Sequence, residues 1–240
     1  MLASQDSLLL FSYVNAAIAV GLGSLGASVG IGIATARGVH AIKRQPEASG
    51  VVTRTLLIGI AVSESPAIFA LVVGIILLFN PGDAGNATHT IALMGAGISI
   101  GIGTIGSALG EGYTAGHACD SVGRQPGNEA ITIRTMLLGQ AVAESPAIFS
   151  LVIAMLLIFV NISESVVHMY AMIAAGFCMG IGAVPAGMGE GFAAGMAAKH
   201  VARYPKAAGP ITRTMLVGQA VTESTAIYCF VVAMCLIYLT

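Results

Sequence analysis

The chain repeats itself three times at a nearly constant spacing. The segment AVSESPAIF at 61–69 recurs as AVAESPAIF at 141–149 and as AVTESTAIY at 220–228, with offsets of 80 and 79 residues. The last two copies share 17 identical residues over 26 aligned positions, 134–159 and 213–238. Because one such unit buries little surface alone, the repeat predicts three equivalent units packed side by side.

The composition places these units in a membrane. Hydrophobic residues make up 56% of the 240 residues and charged residues 9%, whereas an ordinary soluble domain has about 25% charged residues. This excludes a disordered chain, a nucleic-acid-binding module and an ordinary soluble enzyme. The four cysteines show no metal-ligand spacing, so we expect small buried thiols, no resident metal and no other cofactor.

Six apolar stretches are each longer than the about 20 residues that cross a bilayer. They are 9–42, 51–79, 87–122, 130–160, 166–201 and 209–239. They predict an all-α membrane protein of three tandem transmembrane hairpins, at residues 1–82, 83–163 and 164–240. Repeats of this kind can close into a ring.

The positive charges give the hairpins an orientation. All ten Lys and Arg lie in three clusters, at 37–54, 124–134 and 199–213. The polar breaks at 80–86 and 161–165 contain none. By the positive-inside rule, we expect the basic hairpin loops to be cytoplasmic and both termini to lie on the opposite side.

The first helix of each hairpin carries small residues four positions apart, which let neighbouring backbones approach closely. These residues are Gly26, Gly30, Ala34 and Gly38, then Gly106 and Gly110, then Gly189 and Ala193. We therefore expect a tight inner layer of glycine-rich helices. The two G-x-G-x-x-G matches, at 21–26 and 101–106, lack the βαβ context of a dinucleotide site and indicate helix packing instead.

Five acidic residues lie inside the apolar spans: Glu64, Glu111, Glu144, Glu190 and Glu223. An ionised carboxylate at the bilayer centre costs about 2.5–3.5 kcal/mol on insertion scales. No Lys or Arg of the chain lies at the same depth. We therefore expect these carboxyls to be protonated or to bind a cation.

The spacing pairs four of these carboxyls. Glu111 lies 15 residues before the loop proline and Glu144 lies 18 after it, so at about 1.5 Å per residue they are nearly level across an antiparallel hairpin. Glu190 and Glu223 have the same relation. Two neighbouring carboxylates share a proton or a cation, because both cannot ionise cheaply. The first repeat has Ile31 at the inner position, so its outer Glu lacks a partner there.

The order of these features resembles one known family. The segments GEGYTAG at 110–116, RQP at 124–126 and GQAVAES at 139–145 are similar in order and spacing to the rotor-ring c-subunit (proteolipid) of F-type ATP synthases. The resemblance covers the whole chain three times. Most F-type members are a single hairpin, whereas this chain is a tandem fusion of three.

The resemblance implies an ion-translocating rotor-ring subunit of the membrane Fo sector. Glu64, Glu144 and Glu223 match the family's ion-carrying carboxylate. That group binds H⁺ and carries it around the ring, which drives rotation coupled to ATP synthesis or hydrolysis. The chain would be a non-catalytic subunit of the complex and an integral protein of a bacterial-type inner (plasma) membrane.

The resemblance also implies partners. Copies of the chain would form a homo-oligomeric ring among membrane lipids, with no role for nucleic acid. A stator subunit (the a-subunit) would supply an Arg that opens each site, and central-stalk subunits would bind the cytoplasmic loops. The residues that match the stalk-binding loops are Arg44, Gln45, Pro46, Arg124, Gln125, Pro126, Arg203 and Pro205.

The resemblance leaves the coupling ion open between H⁺, which we favour, and Na⁺. Na⁺-binding members carry Ser directly after the Glu, Tyr five residues on, and Gln where Glu111 and Glu190 stand here. The matching residues are Ser65, Ser145, Ser224 and Tyr228. Phe69 and Phe149 replace the tyrosine in the other repeats, which argues against Na⁺ there. A carboxylate pair with one proton nevertheless leaves a net negative site for a cation.

Two other function classes stay open at this point. A standalone proton-coupled transporter could use the same mid-span carboxyls, but the absence of Trp and the glycine-rich packing leave little for a substrate cavity. A structural pore-forming ring without coupling would not require a carboxyl in each repeat.

Overall fold

The computed structural model describes residues 2–82, 86–160 and 164–239, with side chains from Leu8 onward. Over these residues the chain forms eight α-helices and three 3₁₀ turns. The helices are α1 (Leu2–Arg44), α2 (Ser49–Ser63), α3 (Ser65–Phe79), α4 (Ala87–Arg124), α5 (Glu129–Ala143), α6 (Ser145–Phe159), α7 (Val166–Arg203) and α8 (Ala208–Tyr238). The predicted hairpin boundaries at 82/83 and 163/164 border stretches outside the described residues.

Each hairpin reverses direction at a proline. The 3₁₀ turns are Pro46–Ala48, Pro126–Asn128 and Pro205–Ala207, and each begins at the proline that follows the inner helix. Proline suits this position because it has no backbone N–H to donate and its φ angle is already near the helical value. We call the end of the molecule that carries these turns the loop end.

Six segments of the described chain are long and apolar enough to cross a bilayer, with 34 to 38 residues each. Helices α1, α4, α7 and α8 supply four of them, and α2–α3 and α5–α6 supply the other two together with the turns. This confirms the predicted all-α membrane fold of three tandem hairpins. A span of 34 residues is about 50 Å long at 1.5 Å per residue, so its ends extend beyond a hydrocarbon core of about 30 Å.

The helices form two layers. Helix α4 lies between α1 and α7 in an inner layer and is the most buried of the six spans. In the first two hairpins the outer helices contact both their own inner helix and that of the next hairpin. Helix α8 packs on α7. The outer helices of one hairpin therefore meet the next hairpin along the row.

The inner helices contact each other backbone to backbone. A Cβ atom on Gly191 would lie 2.1 Å from the Gly110 Cα atom, and a Cβ atom on Gly112 would lie 2.3 Å from the Gly30 carbonyl carbon. No side chain fits in either gap. Glycine is therefore required for the close approach that holds α4 against α1 and α7.

The predicted helical spans over 51–79 and over 130–160 are confirmed, and each contains a one-residue interruption. The first outer helix is interrupted at Glu64 and the second at Glu144, and each is followed by Ser-Pro. A proline has no N–H for the carbonyl four residues earlier, and its ring crowds that carbonyl. The proline therefore separates α2 from α3 and α5 from α6.

The third repeat confirms this cause of the break. Thr225 stands where the other two repeats have proline, and α8 runs without interruption past Glu223. In the first repeat the Ser65 hydroxyl donates to the Val62 carbonyl at 2.7 Å. That carbonyl is the one that the following proline leaves without its helical partner.

We expect Gly191→Val to lower the free energy of unfolding by about 3 kcal/mol or more, because its neighbour is backbone that cannot rotate away. Gly50→Val is the matched control, since no described atom lies within 4 Å of a Cβ atom there. That control should lose less than about 1 kcal/mol. Thermal unfolding of the purified protein in detergent measures both. Equal losses would contradict the requirement for glycine at this contact.

Candidate ion-binding sites at the hairpin junctions

The mid-span carboxyls lie in two layers. Glu111 in α4 and Glu190 in α7 belong to the inner layer, and both are fully buried. Glu144 and Glu223 on the outer helices are half-buried, whereas Glu64 is exposed. The structure thus gives the five carboxyls three different environments.

Helical hydrogen bonds continue through the backbone of Glu144. Its backbone N–H donates to the Gln140 carbonyl at 3.0 Å, and its carbonyl accepts from the N–H groups of Ala147 at 3.0 Å and Ile148 at 3.2 Å. Glu64 has the same three bonds in the first hairpin. The backbone therefore stays helical at both glutamates, although each lies at an interruption between two helices.

The first junction brings hairpins 1 and 2 together around Glu144. The Ser65 hydroxyl of hairpin 1 forms a hydrogen bond with a carboxyl oxygen of Glu144 in hairpin 2. The same hydroxyl donates to the Val62 carbonyl. At this junction the serine that follows the first repeat's Glu therefore contacts the Glu of the second repeat, not its own.

A buried glutamine ties the layers together at this junction. Gln140 Nε2 donates to the carbonyls of Gly59 and Glu111, each at 3.0 Å. At the second junction Gln219 Nε2 donates to the Gly139 carbonyl at 2.9 Å and the Glu190 carbonyl at 3.2 Å. Each glutamine thus links its own inner helix to the preceding hairpin.

Buried acceptor atoms are left without donors around both glutamines. Among the described residues, both carboxyl oxygens of Glu111 and of Glu190 have no hydrogen-bond partner, and neither does the side-chain oxygen of Gln140 or Gln219. An isolated buried carboxylate is strongly unfavourable. The neutral acid, or a carboxylate with a bound cation, is the form that can persist there.

The outer carboxyls lie near the inner ones. Glu111 interacts electrostatically with Glu144, and Glu190 with Glu223. Two neighbouring carboxyls cannot both carry a negative charge at low cost in an apolar environment. The arrangement can bind a proton or a small monovalent cation reversibly within the apolar part of the molecule.

Three predicted site residues, Ser145, Ser224 and Tyr228, form no hydrogen bond with a mid-span carboxyl in the described part of the chain. No hydrogen bond joins Ser145 and Glu223 in the described part of the chain. Ser224 donates to the Val221 carbonyl at 2.7 Å. Tyr228 is 66% exposed on the outer surface, so its hydroxyl does not reach a buried carboxyl within the chain.

The first repeat has the least polar site. Ile31 and Ile60 occupy the places of the inner Glu and of the glutamine in the other two repeats. Glu64 therefore has neither a second carboxyl nor a side-chain amide from its own hairpin.

The predicted stalk-binding residues cluster at the loop end, and two ion pairs among the described residues join hairpins 1 and 2 there. Arg44 pairs with Asp120. The Arg54 guanidinium binds both carboxylate oxygens of Glu129, with an Nε–Oε1 distance of 2.6 Å. The sequence analysis did not identify Asp120 and Glu129 as partners. Each lies about one repeat after its arginine and carries the opposite charge, which is the feature that could have identified it.

The fold and the junction sites define an integral membrane protein built from three repeated helical hairpins. The family model for the ATP synthase C-subunit matches this chain three times, at residues 14–77, 94–157 and 173–236. The chain therefore belongs to the ATP synthase C-subunit family.

Relatives named as ATP synthase c-subunits each match about one third of the chain. The ATP synthase c-subunit of Natranaerobius thermophilus is 53% identical over 79 residues, which are 33% of this chain and 91% of the relative. ATP synthase c-subunit 2 of Cereibacter sphaeroides is 48% identical over 79 residues, which are 32% of this chain and 95% of the relative. The ATP synthase c-subunit of Alkaliphilus oremlandii is 50% identical over 68 residues, which are 28% of this chain and 76% of the relative.

We expect Ser65→Ala to lower the free energy of unfolding by about 1–3 kcal/mol, because the Val62 carbonyl and the Glu144 carboxyl both lose a hydrogen-bond partner. Ser24→Ala is the control, since its hydroxyl also bonds a carbonyl three residues earlier, at Gly21, but contacts no carboxyl. Thermal unfolding in detergent compares the two. The junction contact would be refuted if Ser24→Ala proved as costly as Ser65→Ala.

Proposed function

We propose that this chain is the ion-translocating rotor-ring subunit of the membrane Fo sector of an ATP synthase. Glu64, Glu144 and Glu223 reversibly bind H⁺ and carry it around the ring, and the rotation is coupled to ATP synthesis or hydrolysis. The chain itself catalyses no reaction. Family membership and the c-subunit relatives support this role, together with a carboxyl at mid-span in every repeat.

The contact of Ser65 with the Val62 carbonyl and a Glu144 carboxyl oxygen supports H⁺ as the coupling ion. A hydroxyl has one proton to donate, and a carbonyl can only accept. Ser65 can therefore bond Val62 and Glu144 at once when it donates to the Val62 carbonyl and accepts from a protonated Glu144. An ionised Glu144 would compete with Val62 for the same proton. This pair of contacts supports our proposal that Glu144 carries a proton.

The mechanism follows from the environment of each carboxyl. Between the packed helices, or facing lipid, Glu144 is stable when neutral. At a stator subunit that offers water and an Arg, the ionised form is favoured and the proton leaves. The membrane potential supplies about 2.3 kcal/mol per charge per 100 mV, which gives the movement its direction.

Three retained carboxyls make each chain carry three ions per turn. A ring built from this chain alone contains a multiple of three hairpins. This keeps the number of ions moved per ATP high, which suits ATP synthesis.

The free faces of the inner layer support assembly with further copies. Gly101 and Gly112 of α4 pack against α1, whereas the equivalent Gly21 and Gly32 of α1 have no described atom within 4 Å of a Cβ position. We propose that α7 of a second copy covers this face. A heterologous contact of this kind repeats from copy to copy and forms a ring when the rotation between copies closes.

The same contact between copies would complete the site of Glu64. On the pattern of Ser65 and Glu144 at the first junction, which Ser145 and Glu223 do not repeat, we propose that Ser224 of a second copy meets Glu64 of the first. The exposed Tyr228 would lie at the same junction. This junction would hold a single carboxyl with two hydroxyls. The other two junctions hold a carboxyl pair and a glutamine.

Sodium is the second candidate for the coupling ion. The unpartnered oxygens of Glu111 and Gln140 are buried hard acceptors, and oxygen atoms without competing donors are suitable ligands for a hard cation. Na⁺ would occupy the two carboxyl-pair junctions in that case.

At the loop end, we propose contact with the central-stalk subunits through the Arg44, Arg124 and Arg203 loops, on the cytoplasmic side. The stator a-subunit and membrane lipids would surround the ring in a bacterial-type inner membrane. Both termini would lie on the opposite side.

Replacing the carrier carboxyl tests the role directly. In membrane vesicles that contain the whole complex, Glu144→Gln should abolish ATP-driven acidification, because an amide cannot load and release a proton. Glu164→Gln is the control, since Glu164 accepts from the Ala87 N–H near the hairpin connection and should leave pumping unchanged. Unchanged pumping in Glu144→Gln would overturn the carrier role. ATP-driven Na⁺ uptake that persists with a protonophore would transfer the role to sodium.

Gly32→Val tests ring closure separately from folding. The added side chain has space within one chain but would meet α7 of the next copy, so we expect a folded monomer that no longer forms the detergent-resistant oligomer. Gly50→Val should assemble normally. Native mass spectrometry reads the oligomeric state, and a normal oligomer in Gly32→Val would contradict the proposed interface.

A further inference from the structure

The two junctions within the chain differ in charge at the loop end. At the first junction Arg44 of hairpin 1 pairs with Asp120 of hairpin 2. One repeat later, the equivalent positions are Arg124 of hairpin 2 and Lys199 of hairpin 3. An attractive ion pair is thus replaced by two positive charges.

The second ion pair is lost in the same way. Arg54 and Glu129 join hairpins 1 and 2, and their equivalents one repeat later are Arg134 and Ala208. In the described part of the chain, no ion pair joins hairpins 2 and 3. The second junction therefore carries positive charges that no ion pair between hairpins 2 and 3 neutralises in the described chain.

A cavity of about 320 Å³ lies at this junction. Its cations are Arg124, Lys199 and Arg203, and its one described acid, Asp120, is already paired with Arg44. The other residues that line it are His117, Ser121 and Gln125. No described residue of α5, α6 or α8 lines it, so it lies between the inner helices α4 and α7 near the loop end.

A buried histidine supplies an independent sign of a missing ligand. His117 is 8% exposed, and its Nε2 atom has no hydrogen-bond partner among the described residues. Its carbonyl accepts from the Ser121 hydroxyl at 2.7 Å. Because buried polar side-chain atoms are usually paired, the free ring nitrogen indicates a partner that the chain itself does not provide.

The cavity suits a phosphate group. Two guanidinium groups and an ammonium group attract an anion with several oxygens, and arginine binds phosphate through paired N–H groups. The volume lies at the lower end of small-molecule pockets, which is enough for a phosphate with a short glycerol arm. The position at a span end is also where basic residues meet anionic headgroups.

We propose that the cavity between α4 and α7 binds the phosphate group of an anionic ligand, either a phospholipid headgroup or free phosphate. The bound anion takes the place of the acidic partner that Asp120 provides at the first junction, and it holds hairpins 2 and 3 together. This proposal does not rest on the rotor function, because it concerns a contact within one chain.

Lys199→Asp tests the proposal by restoring the first junction's arrangement. The new carboxylate would pair with Arg124, as Asp120 pairs with Arg44, and the anion would no longer be needed. The full-length protein is prepared in phosphatidylcholine nanodiscs with or without phosphatidylglycerol, and native mass spectrometry counts bound phosphatidylglycerol. Thermal unfolding is measured in parallel, with and without inorganic phosphate.

The original protein should retain about one phosphatidylglycerol per chain, or gain thermal stability from inorganic phosphate. The first result identifies a lipid and the second identifies free phosphate. Lys199→Asp should weaken this binding at least about tenfold, the usual effect of losing a charge-assisted bond, and its unfolding temperature should no longer respond to either anion.

Lys206→Asp is the matched control, with the same charge change at an exposed loop-end position outside the cavity. It should bind as the original protein does. Lys199→Gln provides a milder variant if Lys199→Asp fails to fold, and it should also lose binding. The proposal is overturned if the original protein responds to neither anion, or if Lys199→Asp and Lys199→Gln bind as tightly as the control.

Discussion

A carboxyl group in the middle of an apolar helix is stable only while a proton or a cation neutralises it, and this constraint organises the molecule. The inner carboxyls Glu111 and Glu190 are fully buried and have no hydrogen-bond partner in the described chain. The outer carboxyls lie at the junctions between hairpins, where they can be packed or exposed as neighbours change. A carboxyl that is neutral in an apolar environment and ionised in a polar one is suited to carrying ions between the two.

The packing makes these junctions reproducible. Glycine contacts between α4 and its two neighbours fix the inner row, and the glutamines Gln140 and Gln219 tie the outer layer to it through backbone carbonyls. Each junction is thus assembled from two successive hairpins. Fusion of three hairpins in one chain encloses two junctions within the chain, and in the proposed ring the third is made with another copy. The chain can therefore give its junctions different chemistry, as Ile31 and Ile60 do in the first repeat.

Much of this was predictable from the sequence. The offset of 80 and 79 residues predicts three equivalent hairpins, and the small residues of the inner helices predict their close contact. The interruption at Glu64 and Glu144 could have been predicted as well, because Pro66 and Pro146 are visible in the sequence and Thr225 shows the contrast. The contact of Ser65 with the following repeat's Glu was not predictable, since it depends on the rotation of one hairpin against the next. The same holds for the pairs of Arg44 with Asp120 and Arg54 with Glu129, which join residues about one repeat apart.

Carbodiimide labelling of the purified oligomer, mapped by peptide mass to each Glu across pH and with or without Na⁺, tests the proton-carrier role most directly. The reagent modifies a carboxyl that is protonated and accessible. We expect that Glu64, Glu144 and Glu223 react, that labelling falls as the pH rises, and that Na⁺ at fixed pH does not change it. Suppression by Na⁺ at Glu144 and Glu223 would show sodium sites instead. If none of the three reacts under any condition while Glu164 does, they are not the ion carriers.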